Sequence, residues 1–593
     1  MEFMTKIMNM QKVKILALIA PLTLGGVGGG LFTACSDWDD HYDADTAITG
    51  SQQSTLLENI TKRPELSQFA ALLSKTGFDE QLGGSQTYTV WAPVNDSFDY
   101  DALMATHNDR VLRQFVQNHV ARNNYPATGV MDQKIFMLNE KMMFFQGAAG
   151  DYKIGDILLA EGQENIGSRN GTLHLINKDI PYLYNIFESL NNEQFAIDSI
   201  SSYFHHYNDT VLNEARSTPG PIVDGEQTYL DSIVTEDNTL YRTYHAFINR
   251  EDSNYTMVVP TNEAWTKTYQ SIEKFYKYPD KFQYISATEA GKDTTINVTI
   301  RNAKQLRDSI TKYMLVSDLF FNNKLYDNKK LNDLQQGETA TSDSLVTTLG
   351  SILYGEDVLN LFAGATRVDK SNGALWVTNQ LNLPSWSAWN PEITIEAESY
   401  WFMTANAASP TTQHVVNAQG IKGRISNDRY IEISPNTPGA HPEIYFALPN
   451  VRSAEYNVYL VTVPSNISNP TAECKYNSIS AGFRYAKEDG VLDKEGTQQN
   501  ANPNEYERSS TFVTHGISDI DTLFIGSVTF PMSYYGLGNF PYLRVRSRFA
   551  SSLESQLPMD RTLRIDCIVL RPKELDDYLQ THPSYKYDKH NNN

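Results

Sequence analysis

One stretch of the sequence occurs twice, and this repeat limits the fold more than any other feature. Residues 88–98 (YTVWAPVNDSF) and 255–265 (YTMVVPTNEAW) align position for position, 167 residues apart. Each copy is an apolar run stopped by proline, followed by an Asn, an acidic residue and, two positions later, an aromatic. This pattern predicts a buried strand that ends at the proline, and a turn whose Asn caps the next helix.

Each copy is followed by the same two further signals. Apolar residues at helical spacing run over 111–120 in the first copy and 306–315 in the second. An Asn-Gly turn then enters an alternating strand at 170–177 and again at 372–379. Because three signals recur in the same order, we infer two copies of one domain.

These motifs resemble the fasciclin (FAS1) family. The matching signature positions are Pro93, Asn95, Asp96, His119 and His174 in the first copy, and Pro260, Asn262 and Glu263 in the second. The resemblance implies a tandem pair of α+β domains, each a β-wedge with packed helices, over residues 51–183 and 184–386. It also implies that the domains serve as binding or adhesion modules. A Tyr-His pair usually follows the middle helix in this family; the first copy keeps only His119 of the pair, and the second keeps only Tyr313. Polar insertions in the second copy, near 205–245 and 270–300, predict surface loops.

The C-terminal third has a different pattern. Over residues 391–575, short alternating runs are separated by Gly, Pro and Asn clusters, which predicts an antiparallel β-sandwich. Residues 576–593 are predicted to be a polar tail. Residues 394–398 and 563–570 resemble the first and last strands of carbohydrate-binding jelly rolls. The predicted fold class is therefore multidomain, with two FAS1 domains followed by an all-β sandwich or jelly roll.

The jelly-roll resemblance implies two kinds of site. Glu396, Glu398 and Asp566 are candidates to hold a structural calcium ion, since hard cations prefer several oxygen ligands; the alternative is that these acids face solvent. Aromatic rings stack on the apolar faces of sugars. The ligand-binding candidates are Trp401, Tyr534, Tyr535 and Tyr542, and the alternative for each is packing in the core.

The N-terminus resembles a lipoprotein signal. Lys6, Lys12 and Lys14 precede an apolar run at 15–24 that is short for a membrane span. Small residues before Cys35 resemble the bacterial lipobox, which implies a signal peptide over 1–34 and an acylated cysteine, although Phe32 stands where Leu is usual. The alternative is a soluble secreted form.

An acidic tether is predicted over residues 35–50. Its export-signal candidates are Ser36, Asp37, Asp39 and Asp40, which resemble the segment that sends lipoproteins of glycan-foraging Gram-negative anaerobes to the outer leaflet. The alternative is a solvated tether without a targeting role. The predicted location is the outer membrane, lipid-anchored and facing the extracellular side.

The net charge and the motif content limit the classes of function that this chain can have. The formal net charge of −21 disfavours nucleic acid as a partner. The sequence contains no nucleophile elbow, zinc-protease, phosphate-loop or dinucleotide motif, so we expect no enzyme. Beyond Cys35 only Cys474 and Cys567 remain, too few for a disulfide scaffold, and whether they pair is open.

Together these patterns predict a non-catalytic surface lipoprotein. By resemblance, it would bind glycan or oligopeptide as an accessory to a SusC/SusD-type outer-membrane importer. One alternative is an adhesin that uses its FAS1 surfaces to hold a cell or a matrix. Another is a glycan-active hydrolase in the C-terminal domain, because paired carboxylates are recognised only in three dimensions.

Overall fold

The computed structural model describes residues 53–587 except 149, 192–193, 213, 215–217, 224, 232–233, 286–294, 335–337, 339, 400, 406–407, 416–421, 470, 493–510, 514–518 and 550. The predicted signal peptide, the tether, Cys35 and the export-signal residues Ser36, Asp37, Asp39 and Asp40 lie outside the described residues. Within the described ranges, no helix combines the length and the apolar character that crossing a bilayer requires.

The first unit, residues 53–183, combines short helices with two four-stranded sheets. Its elements are α1 (Leu56–Thr61), a 3-10 turn (Pro64–Leu66), α2 (Ser67–Thr76), α3 (Phe78–Gly83), β1 (Tyr88–Pro93), α4 (Tyr100–Ala105), α5 (Asp109–Gln117), β2 (Val120–Arg122), β3 (Met131–Phe136), β4 (Met142–Gly147), β5 (Lys153–Ile154), β6 (Ile157–Leu158), β7 (Ile166–Ser168) and β8 (Gly171–Ile176). The sheet orders are β2-β1-β8-β7 and β3-β4-β5-β6. Strand β1 is buried along its whole length, as its apolar run predicts.

The second unit, residues 184–386, repeats the first of these two sheets. Its elements are a 3-10 turn (Glu188–Asn191), α6 (Asp198–His205), β9 (Asn208–Leu212), β10 (Thr218–Val223), β11 (Glu226–Asp231), β12 (Val234–Asn238), α7 (Thr239–Thr243), β13 (Tyr255–Pro260), α8 (Asn262–Glu273), β14 (Lys281–Ile285), β15 (Thr295–Thr299), α9 (Ala303–Val316), β16 (Phe320–Asn322), a 3-10 turn (Tyr326–Leu331), β17 (Ser344–Val346), β18 (Ile352–Tyr354), α10 (Gly355–Phe362), β19 (Thr366–Lys370), β20 (Gly373–Thr378) and α11 (Ser385–Ala388). The order β16-β13-β20-β19 matches that of the first unit, with a parallel central pair in both. The repeated sequence motifs therefore lie on equivalent strands of the two units.

One insertion of the second unit is part of a core. Strands β14 and β15 form a hairpin whose Phe282 is 1% exposed and lies in the same hydrophobic cluster as the C-terminal strands. The backbone N–H of Gln283 donates to the carbonyl of Gly490 (2.8 Å). The prediction of a surface loop here is wrong, because the hairpin buries one face against the C-terminal unit.

The C-terminal unit, residues 391–587, is built from two antiparallel sheets. Its elements are β21 (Ile393–Glu396), β22 (Trp401–Ala405), β23 (Thr411–His414), a 3-10 turn (Ser426–Asp428), β24 (Arg429–Ile433), β25 (Glu443–Ala447), β26 (Glu455–Thr462), β27 (Asn477–Arg484), β28 (Thr511–Val513), β29 (Asp521–Thr529), β30 (Tyr542–Ser547), α12 (Ser551–Glu554), β31 (Leu563–Pro572) and α13 (Lys573–Thr581). One sheet has the order β23-β24-β31-β26-β29 with β21 beside β31, and the other has the order β22-β25-β30-β27-β28. Alternate residues of both sheets, such as Ile395, Phe446 and Leu570, share one core. Cys474 and Cys567 are free thiols.

The end of the chain is not the predicted polar tail over residues 576–587. Leu575 on α13 is fully buried, and Asp576 and Tyr587 are each 8% exposed. The carboxylate of Asp576 accepts a hydrogen bond from the amide of Asn457 (2.7 Å) on β26. Although this segment is rich in acidic residues, residues 573–581 form an amphipathic helix that packs on the sheet.

Candidate functional site

Asn95 and Asn262 hold equivalent positions in the two copies. Oδ1 of Asn95 accepts a hydrogen bond from the N–H of Gln68 (3.0 Å), and its Nδ2 donates to the carbonyl of Pro64 (2.8 Å). Oδ1 of Asn262 accepts from the N–H of Ser199 (2.8 Å). Each Asn therefore caps the helix that precedes it in the chain, α2 or α6. The predicted cap of the following helix is wrong, because the fold brings this turn against the earlier helix.

The Asn-Gly turns are also equivalent. Oδ1 of Asn170 accepts from the N–H of Leu56 (2.8 Å), and Oδ1 of Asn372 accepts from the N–H of Ile186 (2.9 Å). Both Asn side chains are 2% exposed, and both amides donate to backbone carbonyls of the same unit. The Asn-Gly turn thus fixes the start of each unit against its central strand.

The two signature histidines are buried structural groups. Nδ1 of His119 lies 2.7 Å from the carbonyl of Phe115, and its Nε2 accepts from the N–H of Ile180 (2.9 Å). Nε2 of His174 lies 2.9 Å from the carbonyl of Tyr125. Burial lowers the pKa of each ring to about 4, against the opposing effect of these backbone hydrogen bonds. Both rings are therefore neutral near pH 7.

The remaining signature residues shape turns. Pro93 and Pro260 are the last residues of β1 and β13. Asp96 has a left-handed backbone (φ 62), and the exposed Glu263 pairs with Lys267 (2.6 Å) in the first turns of α8. Pro93, Pro260 and Asp96 therefore set backbone geometry, whereas Glu263 carries a surface ion pair.

The three carboxylates proposed for calcium lie together where β21 meets β31. The N–H of Ser426 donates to both oxygens of Asp566 (3.1 Å each), and its Oγ donates to Oε1 of Glu396 (2.6 Å). The Oε2 atoms of Glu396 and Glu398 are buried without a hydrogen-bond partner. Burial raises the pKa of Asp566 to about 7; the Ser426 bond lowers it, and the two neighbouring glutamates raise it.

The fit of this cluster to calcium is incomplete. Buried oxygens without partners suit a hard cation. In the part of the chain that the structure describes, however, no three acidic, His or Cys side chains converge as metal ligands do. Ser426 bridges Glu396 and Asp566 instead. Calcium at Glu396, Glu398 and Asp566 stays a prediction.

The aromatic candidates are mostly core residues. Tyr534 and Tyr542 are 1% and 4% exposed, and Tyr535 lies under the guanidinium of Arg452 (4.9 Å). Tyr534 packs in the C-terminal core, and Tyr542 on β30 packs with Ile285, Tyr445 and Leu492. The prediction that these two rings bind a ligand is wrong, because neither is exposed. The half-buried Tyr535 packs against the core of the second unit, and its role in ligand binding stays a prediction. Trp401 lies on β22, and its side chain is outside the described part.

A groove of about 350 Å³ lies on the second unit, and Glu574 of the C-terminal unit lines its edge where the two units meet. We call it the junction groove; α8 lines one side and residues 380–389 line the other. Its polar lining is Lys267, Thr268, Ser271, Lys274, Gln380, Ser385 and Glu574. Its apolar lining is Ala264, Phe275, Leu381, Leu383, Pro384, Trp386 and Trp389. This volume and mixed lining are typical of small-molecule sites.

The ring of Trp386 is held from behind by the end of the chain. Its Nε1 donates to the hydroxyl of Tyr585 (3.0 Å), and its ring centroid is 5.2 Å from that of Tyr578. The hydroxyl of Tyr585 in turn donates to the carboxylate of Asp357 (2.8 Å), whose pKa is raised by burial. The half-buried indole is thereby fixed while one part of it lines the groove.

The charged groups of the groove lie near its surface. Lys267 pairs with Glu263 (2.6 Å), and Lys274 lies 3.7 Å from Glu574, with each of these side chains more than half exposed. Oγ of Ser385 donates to Glu574 (2.7 Å). Exposed ion pairs contribute little to stability, so these groups can exchange partners with a ligand.

Sequence reasoning missed the junction groove. The available signal was that Trp386 and Trp389, two of the seven tryptophans in the chain, stand three positions apart in the segment between two domains. Nothing in the sequence joins that segment to α8 or to Tyr585. The meeting of Trp386 with Tyr585 depends on how the second and C-terminal units dock.

The chain has a modular architecture, with two repeated α+β units and a two-sheet unit. Residues 64–180 match the model of the fasciclin domain and form such a domain, which suggests a cell-surface or adhesion-like role. No curated protein matches the chain.

Three solved structures show weak likeness. A FAS1 domain pair from the insect cell adhesion molecule Fasciclin I has 14% identity over 55% of this chain and 98% of its own, with a TM-score of 0.19. A Paenibacillus xanthan lyase has 12% identity over 34% of this chain and 15% of its own, with a TM-score of 0.20. An Arthrobacter globiformis T6 isomalto-dextranase has 10% identity over 30% of this chain and 23% of its own, with a TM-score of 0.18.

Proposed function

We propose that this chain is a non-catalytic surface lipoprotein that binds nutrient, glycan or oligopeptide, beside a SusC/SusD-type outer-membrane importer. The observation that carries the proposal is the fasciclin domain at residues 64–180, because this domain suggests a role at a cell surface. The lipobox-like segment ending at Cys35 supports a lipid anchor. The second FAS1 domain and the jelly-roll identity of the C-terminal unit belong to the same proposal.

The joints between the units support presentation of one composite surface. Lys141 of the first unit, with a side chain 3% exposed, bonds to Glu188 and Glu251 of the second. The β14–β15 hairpin of the second unit adds Phe282 to the C-terminal core. Shared cores and buried ion pairs resist bending between units. A ligand site between units would therefore keep its shape.

Two measurements test the proposal. A fatty-acid probe fed to cells should label the native protein and should not label the Cys35→Ala variant. Mild detergent extraction followed by affinity capture should co-purify importer subunits with the native protein. Absence of the lipid label would remove the anchor, and complete absence of importer subunits from the labelled protein would remove the nutrient-capture role.

The fasciclin domain also favours an adhesin as the second candidate function. In that case deletion of the gene would weaken attachment to cells or matrix and leave growth on complex glycans normal. Slower growth on glycans with normal attachment would support the accessory role instead.

A hydrolase in the C-terminal unit is the third candidate. Asp566, with its raised pKa beside Glu396, has the character of a general acid. Asp566 is only 1% exposed, so a polysaccharide would not reach it without rearrangement. A polysaccharide panel incubated with the native protein and with Asp566→Asn tests this: release of sugar by the native protein alone would overturn the non-catalytic assignment.

A further inference from the structure

We propose that the junction groove binds a neutral saccharide of one or two rings, with one ring stacked on Trp386. The inference rests on the proposed binding function and names its site and ligand class. It places that site mainly on the second unit, where the C-terminal unit contributes Glu574 to the lining and supports Trp386 from behind with Tyr578 and Tyr585.

The size and the walls of the groove suit a sugar. About 350 Å³ is at the lower end of the range for small-molecule sites and accommodates one or two pyranose rings. Trp386 and Pro384 supply apolar surface on one side, and α8 supplies polar side chains on the other. A sugar presents the matching pair of surfaces, since its C–H face is apolar and its edge carries hydroxyls.

The position of Trp386 favours stacking. Its N–H is already bonded to Tyr585 (3.0 Å), and Tyr578 lies 5.2 Å away. The ring therefore loses little conformational freedom when a ligand arrives, which is the general advantage of a preorganised site.

The polar lining distinguishes a sugar from other ligands. Lys267 and Lys274 donate hydrogen bonds, Glu574 accepts them, and Gln380 and Ser385 do both. Sugar hydroxyls also donate and accept, so each can be satisfied there. An anion would meet Glu574 and the field of a chain with net charge −21. A purely apolar ligand would leave the polar groups of this lining unpaired.

The groove is accessible because its ion pairs are surface pairs. Lys267 and Glu263 are 66% and 71% exposed, and Lys274 and Glu574 are 55% and 54% exposed. Breaking or rearranging them costs on the order of 1 kcal/mol or less. Ligand hydroxyls can replace these contacts without disturbing the buried residues of either unit.

The test uses the full chain on an immobilised panel of neutral, acidic and sulfated oligosaccharides and short peptides, followed by calorimetry with the best neutral ligand. The native protein should retain neutral saccharides. Trp386→Ala should weaken binding by about tenfold or more. Trp386→Phe keeps a smaller aromatic face and loses the bond to Tyr585, so it should weaken binding less than Trp386→Ala does.

A second variant guards against a folding defect at Trp386. Ser271 is exposed on α8, and Ser271→Trp fills the groove without touching the residues behind the indole. It should abolish binding and keep the native melting temperature. Lys267→Met should weaken binding several-fold. Its control is Lys312→Met, which removes an i,i+4 pair on α9 that does not line the groove and should leave binding unchanged.

Three results would overturn the inference: retention of acidic ligands or peptides only, no retention of any neutral saccharide, or unchanged binding in both Trp386→Ala and Ser271→Trp. Each can occur while importer subunits still co-purify with the native protein. Conversely, saccharide binding lost in Ser271→Trp would stand even if co-purification failed. The two proposals therefore fail separately.

Discussion

The ammonium of Lys141 lies 2.7 Å from Oε1 of Glu251, across the boundary between the first and second units. Lys141 also bonds to Glu188, and its Nζ lies 5.0 Å from the ring centroid of Tyr182. The Lys141 side chain is 3% exposed and that of Glu251 is 8% exposed. A buried cation between two carboxylates of the next unit disfavours other orientations, because each would leave a buried charge unpaired.

Removal of this cation should loosen the first unit from the second. Lys141→Met leaves Glu188 and Glu251 without their counter-ion, and breaking a buried pair costs about 3–5 kcal/mol. Urea unfolding should then show the first unit melting separately at lower urea. Lys312→Met, which removes the exposed pair with Asp308, should change stability by about 0.5 kcal/mol or less. A single unshifted transition in Lys141→Met would contradict the argument.

The glycines of the two Asn-Gly turns should tolerate no side chain. A Cβ at Gly171 or Gly373 would lie 1.7 or 1.8 Å from the carbonyl oxygen of Tyr88 or Tyr255, at φ values of +136° and +140°. Gly171→Ala and Gly373→Ala should each destabilise their unit by roughly 3 kcal/mol or more. The control Gly129→Ala has open space at φ +59° and should cost about 1 kcal/mol. Equal melting temperatures for all three variants would disprove the close approach.

Asp566 should make stability fall as pH rises toward neutrality. Its folded pKa of about 7 lies above the usual 3.8, so the folded state holds a proton that the unfolded state releases. The stability that comes from the protonated Asp566 is fully present below the pKa of the unfolded state and is lost as the pH rises through about 7. Asp566→Asn should flatten this dependence between pH 4 and pH 7, as measured by chemical unfolding. The exposed control Asp156→Asn should leave the slope unchanged, and an unaltered slope in Asp566→Asn would refute the assignment.

Calcium, if it binds at Glu396, Glu398 and Asp566, should act mainly above neutral pH. The ion requires ionised carboxylates, and Asp566 is charged only above about pH 7. Calcium at about 1 mM should raise the melting temperature at pH 8 by a few degrees, and much less at pH 5. The Asp566→Asn variant should not show this rise in melting temperature. The absence of any shift at pH 8, with magnesium as the parallel control, would remove calcium from this site.

Several features were predictable from the sequence because they depend on near neighbours in the chain. The runs at 88–93 and 255–260 are apolar without interruption and form buried strands. The Asn-Gly pairs stand at the start of β8 and β20. Alternation in the C-terminal third predicted strands that place every second residue in one core, and residues 443–447 do so.

Other features depended on which segments meet. Trp386 and Tyr585 stand 199 positions apart, and the sequence marks neither as the partner of the other. Residues 281–285 and 295–299 have the composition of a loop but form paired strands that bury Phe282 in another unit. Asn95 carried a correct signal for a helix cap, although the helix it caps lies on the side of the turn opposite to the prediction.

The sequence by itself determined the repeated units, their strands and their turns, since hydrophobic period and backbone preference act over a few residues. Tertiary structure alone decided the docking of the units, the burial of Tyr534 and Tyr542, and the groove beside Trp386. The physical reason is that contact between distant surfaces depends on shape and on pairing every buried polar group, as Lys141 is paired with Glu251. Those conditions involve residues from the whole chain at once.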